Sequence, residues 1–243
     1  MPKKEQVLAT IRKALTGEPN RASRPDNLDA LPPLGPVLPS IESSDLVPRF
    51  EQELRSLAAS AHRVETPGEL RNLLNQTLDR DRENGVVLSR NPLLGRLGLA
   101  SVLGDLGIPF WTWDPSSPDG APSPAYRDRC FSAAAGITGV DFALAESGSL
   151  VVSSATEGAQ LSSLAPPVHI AFYLRSQIVE TLEEVLQGLK PSAGGSALDG
   201  RSIVLITGTS RTADIEQILI RGVHGPREVH AILVEDSYFT VAE

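Results

Sequence analysis

Apolar residues recur along this chain at two spacings, and stretches of the two kinds alternate. Lys3 to Leu15 repeats them at Val7, Leu8, Ile11, Ala14 and Leu15, the spacing of one helix face, and Gly17 with Pro19 ends the run. From Pro19 to Ser40 no period survives among Pro, Asn, Asp, Arg and Leu, which predicts an extended linker. Residues 1–40 thus read as a helical arm with a Pro-rich linker, and 41–243 as the globular domain. Within that domain Leu46 to Ala59 reads as a helix and "HRVE" as a short strand. Thr66 then caps a helix over Gly68 to Leu78, with Pro67 in its first position. "GVVLS" is a buried strand, Pro92 to Leu106 a helix, and "IPFWTW" a strand again.

The alternation continues past a Pro/Ser/Asp/Gly loop over Pro115 to Pro124. Tyr126 to Ala135 reads as helix. Phe142 to Ala145 and Leu150 to Val152 are apolar runs broken by Ser147-Gly148-Ser149, the pattern of a hairpin. Val168 to Leu174 is a strand, Ile178 to Leu189 a helix, and "KPSAGGSALDG" a loop. Ile203 to Ile206 reads as strand, Ala213 to Arg221 as helix, and Val229 to Val234 as the last strand. Strands alternating with helices predict an α/β domain with a largely parallel sheet flanked by helices.

Composition narrows the function classes. With 243 residues and 41% apolar content the chain can bury a full core. A formal net charge of −8 disfavours a nucleic-acid partner, because phosphate binding relies on Lys and Arg. The single cysteine, Cys130, can form no internal disulfide and cannot supply the thiolates of an iron–sulfur cluster. No run approaches a membrane span, and "MPKKEQVLAT" lacks the apolar core of a secretory signal, so the expected location is cytoplasmic.

Glu146 stands at the hinge of the hairpin. A carboxylate there either faces water or lies over a pocket, where partial desolvation would make it a base or a nucleophile. Just ahead, "GITGVD" joins two glycines to Thr138 and Asp141 and is a candidate pocket floor, with "TEGAQLSSLAPP" as the opposite wall. In "LITGTSRTADIEQ" a strand runs through Gly208 and Ser210 into a predicted helix opening at Thr212. Such a turn can hold an anion, Arg211 adding a bidentate donor, or it is ordinary helix capping. It is neither a Walker loop nor a dinucleotide fingerprint. His224 and His230 have no usual zinc spacing, and His169 in "PPVHIAFYL" reads as a core histidine rather than a base.

"GITGVDFALAESGSLVVSS", "LAPPVHIAFY" and "TGTSRTADIEQILIRGVHGPREVHAILVED" together resemble the LUD-domain family of lactate-utilisation proteins, in its LutC (YkgG-like) branch. The resemblance implies a fold of the NagB/RpiA/CoA-transferase-like group. It also implies work beside LutA-like and LutB-like iron–sulfur subunits in bacterial oxidation of L-lactate to pyruvate, with the clusters in those partners and no cofactor bound by this chain alone. A small carboxylate or phosphate ligand would fit Thr138, Asp141, Gly148, Gly208, Ser210, Arg211 and Thr212. Glu146-Ser147-Gly148 is similar to the Glu-x-Gly turn whose glutamate is the nucleophile of CoA-transferases, which implies the alternative of a free-standing isomerase or CoA-transferase-type enzyme using Glu146. "TGTSR" departs from the family's "SGPSR" by losing a proline that stiffens the turn.

Overall fold

The computed structural model describes residues 45–113, 124–158, 160–188, 202–213, 219–221 and 224–241, with Gln6 and Leu8. The remainder of the predicted N-terminal helix and linker, the Pro115–Pro124 loop up to its last residue and the "KPSAGGSALDG" loop lie outside the described residues. The chain divides into two units, Met1–Ser40 and Ile41–Glu243, and every element below belongs to the second.

Val86-Val87-Leu88 is buried on both faces, as aliphatic strands inside a parallel sheet are. It is β2 of a six-stranded sheet that also holds β1 (Ser60–Val64), β3 (Phe110–Thr112), β4 (Ala135–Thr138), β7 (Val168–Leu174) and β12 (Glu228–Val234). The spatial order is β1-β12-β7-β4-β2-β3, and every neighbouring pair is parallel. A second sheet, in the order β8-β5-β6-β9, contains the hairpin of β5 (Phe142–Leu144) and β6 (Ser149–Ser153), flanked by β8 (Ile178–Val179) and β9 (Ile203–Ile206).

Alternate side chains of the large sheet face two cores. Ile137, Ile170, Phe172, Ile232 and Val234 pack with α2 (Pro67–Thr77), α3 (Pro92–Arg96), α4 (Leu99–Asp105) and Tyr238 of α9 (Ser237–Val241). Ala171, Tyr173, Ala231 and Leu233 face the small sheet and α1 (Leu46–Ser56), whose Val47, Phe50 and Leu54 are buried. Near β2 and β3 that second side is closed by α5 (Pro124–Ser132), whose Tyr126 and Cys130 pack on Val87 and Trp113. The Tyr126 hydroxyl donates to the Leu88 carbonyl at 2.8 Å, and Cys130 is fully buried. On the outer face of the small sheet, α8 (Leu182–Gly188) lays Val185 on Leu144 and Val151. Two short helices, α6 (Ser154–Glu157) and α7 (Leu161–Leu164), link β6 to β7.

Local signals account for most boundaries. Thr66 Oγ1 accepts from the Glu69 N–H with Pro67 at the head of α2, as the sequence predicts. The single helix expected over Pro92 to Leu106 is two, because Gly98 adopts a left-handed φ of 64° and interrupts it. Ile178-Val179 is a strand parallel to β5 rather than the start of α8. The helix predicted over Ala213 to Arg221 is corrected. β10 (Arg211–Ala213) and β11 (Leu219–Arg221) pair antiparallel, Thr212 opposite Ile220, so main-chain pairing across the segment overrides the helical spacing of "ADIEQILIR".

Candidate functional site

Chain direction through the large sheet reverses between β2 and β4. From β2 the chain moves outward to β3, whereas from β4 it moves the other way to β7. Neighbouring strands whose connections leave in opposite directions open a crevice at their carboxyl ends, the usual ligand position in an open parallel α/β sheet. Here those ends are Ser89-Arg90-Asn91 and Thr138-Gly139-Val140-Asp141.

Glu157, from α6, fills the crevice floor and is 1% exposed. Its Oε2 accepts from the Ser89 hydroxyl at 2.5 Å and from the Gly139 N–H at 3.2 Å, while Oε1 takes a short hydrogen bond from the Asn91 amide. Its own carbonyl accepts from the Arg90 N–H at 3.1 Å. Burial holds this carboxyl above the usual range, the nearby Asp141 adds to the rise, and the Ser89, Asn91 and Gly139 donors oppose it. Asn91 also caps α3, its Oδ1 accepting from the Leu93 N–H at 2.9 Å. One carboxylate therefore ties together both strand ends and a helix start.

Asp141 lies beside this knot. Its Oδ2 accepts from the Ser153 N–H at 2.7 Å and both its oxygens from the Thr156 hydroxyl at 3.0 Å, and burial raises its pKa against those bonds. Thr138 Oγ1 meets His169 Nε2 at 2.8 Å inside the sheet, where His169 is fully buried and its Nδ1 has no partner. Burial, with the charge of His230 as a lesser contribution, pushes the His169 imidazole down to about 4. A neutral ring packed in the core is the histidine the sequence suggests.

The remaining predicted site residues lie elsewhere. Glu146 stands five residues beyond Asp141, at the far end of the hairpin, about 16 Å along an extended strand. Its Oε1 accepts from the Leu182 N–H at 2.9 Å, at the start of α8. Gly148, at φ 64°, lets the turn press on the Glu53–Leu54 backbone of α1, and Gly208, at φ 78°, does the same at Leu57. A chain of hydroxyls joins the two turns, Ser147 to Ser149 and Ser149 to Thr207, each at 2.8 Å. The Ser210 N–H donates to the Pro226 carbonyl at 2.9 Å, and Arg211 is exposed. No helix begins at Thr212 among the described residues. The structure thus keeps these side chains apart: Thr138 bonds His169 inside the sheet, Asp141 bonds Ser153 and Thr156, and Glu146 bonds Leu182 at the far end of the hairpin.

Sequence reasoning did not single out Ser89 or Asn91, and it reached Glu157 only as part of "TEGAQLSSLAPP", the stretch set opposite "GITGVD". A signal was present in Ser89-x-Asn91 directly after a buried strand, but Glu157 is 66 residues from Asn91 and only the β2–β4 pairing unites them.

A cleft of about 590 Å³ opens on the β3 side of this knot, at the carboxyl ends of β2 and β3. Leu94, Leu99, Ala100, Ser101 and Thr112 line it along with Ser89 to Pro92. At its edge the Arg90 guanidinium lies 4.8 Å from the Trp113 ring centroid and donates to the Ala155 carbonyl at 2.7 Å. Gly158 makes room for that ring, since a Cβ there would stand 2.8 Å from it.

A family model described as the LUD domain matches residues 47–234. The chain belongs to the LUD-domain family. Across 95% of its length it is 29% identical to 95% of "Lactate utilization protein C" from Deinococcus radiodurans. It is 28% identical to the protein of that name from Bacillus subtilis over 82% of each chain. It is also 30% identical to "Uncharacterized protein YkgG" of Escherichia coli, over 63% of this chain and 64% of that one. The crystal structure of a DUF162 family protein from Deinococcus radiodurans superimposes with a TM-score of 0.54 at 24% identity, covering 78% of this chain and 96% of the other, which supports the LUD fold. Among the described residues no group of three or more His, Cys, Asp or Glu could hold a metal, and no helix is long and apolar enough to cross a membrane.

Proposed function

We propose that this chain serves in lactate utilisation, as the subunit without cluster ligands in an iron–sulfur complex that oxidises L-lactate to pyruvate. The observation that carries the reading is the likeness to a lactate utilization protein C along 95% of both chains, which leaves little of either outside the alignment. The oxidation removes two electrons and two protons from the substrate. A chain with one cysteine, buried in the core, has no thiolate set for a cluster of its own, so the electrons would pass to LutA-like and LutB-like iron–sulfur partners.

The test is genetic and biochemical. Deleting the gene should abolish growth on L-lactate as sole carbon source, and the wild-type chain supplied in trans should restore it. A tagged chain purified without oxygen from lactate-grown cells should bring down cysteine-rich iron–sulfur proteins. Wild-type growth of the deletion strain on L-lactate would overturn the proposal.

A further inference from the structure

We propose that the cleft at the carboxyl ends of β2 and β3 binds an organic anion of mononucleotide size, with its negative group on Arg90 and its body along Leu94, Leu99 and Ala100. The inference stands apart from the lactate reading and rests on different observations.

The first is the state of Arg90. Arg90 is exposed and lines the cleft, one nitrogen of its guanidinium is shared by the Ala155 and Ser154 carbonyls at 2.7 and 3.5 Å, and no carboxylate lies within ion-pair distance among the described residues. A guanidinium carries five N–H donors, so most of them remain for a ligand. Trp113 underneath and the Ala155 carbonyl hold the plane in one orientation. An Arg fixed in this way binds carboxylate or phosphate with little further loss of freedom.

The second is the way the cleft floor is built. Ser89 and Asn91 line the cleft, but their side chains are tied to Glu157, and Asn91 also accepts from the Leu93 N–H. Glu157 therefore acts as a positioning residue that holds the loop carrying Arg90. What the rest of the cleft presents is mostly apolar wall, with the Ser101 and Thr112 hydroxyls, which suits the body of a ligand rather than a second charge.

The third is size. About 590 Å³ lies in the range of pockets that hold drug-sized ligands and far exceeds what a three-carbon acid fills. One cation against a long apolar wall selects an anion with a large organic body.

Isothermal titration of the full chain with AMP and with flavin mononucleotide tests this, with adenosine, inorganic phosphate and L-lactate as controls. At least one of the two nucleotides should bind, with adenosine and phosphate at least tenfold weaker. Arg90→Ala should weaken that binding at least tenfold. Ala100→Phe, which fills the cleft from an exposed position outside the core, should abolish it while leaving the melting temperature unchanged. The proposal fails if neither nucleotide binds, if both variants bind as the wild type does, or if only L-lactate binds.

Discussion

Gly139 sits so close to Asn91 that a single methyl group on its Cα would overlap the Asn91 carboxamide. That carboxamide is held at one end by Glu157 and at the other by the Leu93 N–H, so it has nowhere to move. Gly139→Ala is expected to destabilise the fold by about 2 kcal/mol, the usual size of overpacking in a closed core. Urea unfolding at neutral pH would measure it, and a change below about 0.5 kcal/mol would show that the knot yields easily.

Gly148 is constrained twice over. Its φ of 64° disfavours any other residue, and a Cβ would strike the backbone of α1 rather than a yielding side chain. We expect Gly148→Ala to cost roughly 3 kcal/mol, the sum of a left-handed backbone and a forced shift of α1. In a domain of this size that corresponds to a fall of about 6–12 °C in melting temperature.

His169 makes stability depend on acidity. Its imidazole titrates at about 4 in the folded chain, against an ordinary value near 6.5 in the unfolded one. Between those values the unfolded state binds more protons, so this residue's contribution is complete above about pH 6.5 and is lost as the pH falls towards 4. The full loss is roughly 3 kcal/mol. His169→Gln, which can still bond Thr138, should unfold with a flatter profile over that window. Parallel curves for the two proteins would refute the assignment.

Glu146 can be tested by a pair of substitutions. As an acceptor for the first turn of α8, its removal in Glu146→Ala should cost about 1 kcal/mol, and Glu146→Gln should lose less because its amide oxygen can still accept from Leu182. Should Glu146→Gln instead leave stability intact and abolish lactate-dependent growth, the carboxylate would have a chemical role beyond holding that helix.

Much of this fold is legible in local patterns. Thr66-Pro67 announces α2, and the apolar run Val168 to Leu174 matches β7 residue for residue, because capping and burial are properties of neighbouring residues. What was not legible depends on distant pairing. "TADIEQILIR" has apolar spacing suited to a helix, yet Arg211 to Ala213 lies against Leu219 to Arg221 as strands. Glu157 reads as one more loop carboxylate until β2 and β4 become neighbours and bring Ser89 and Gly139 to it. Glu146 and Asp141 are close in sequence but at opposite ends of one hairpin, so nearness along the chain suggested one pocket where the fold makes two places.

Cys130 lies wholly inside the layer between α5 and the sheet, and burial pushes its thiol up to about 11. Almost none of it is thiolate at neutral pH, and reagent in solution cannot touch it while α5 stays down. Alkylation of this one sulfur then becomes a clock: its rate reads how often the helix lifts away, without any probe having to be introduced. In a chain built in this way, any molecule labelled at Cys130 is one that has opened.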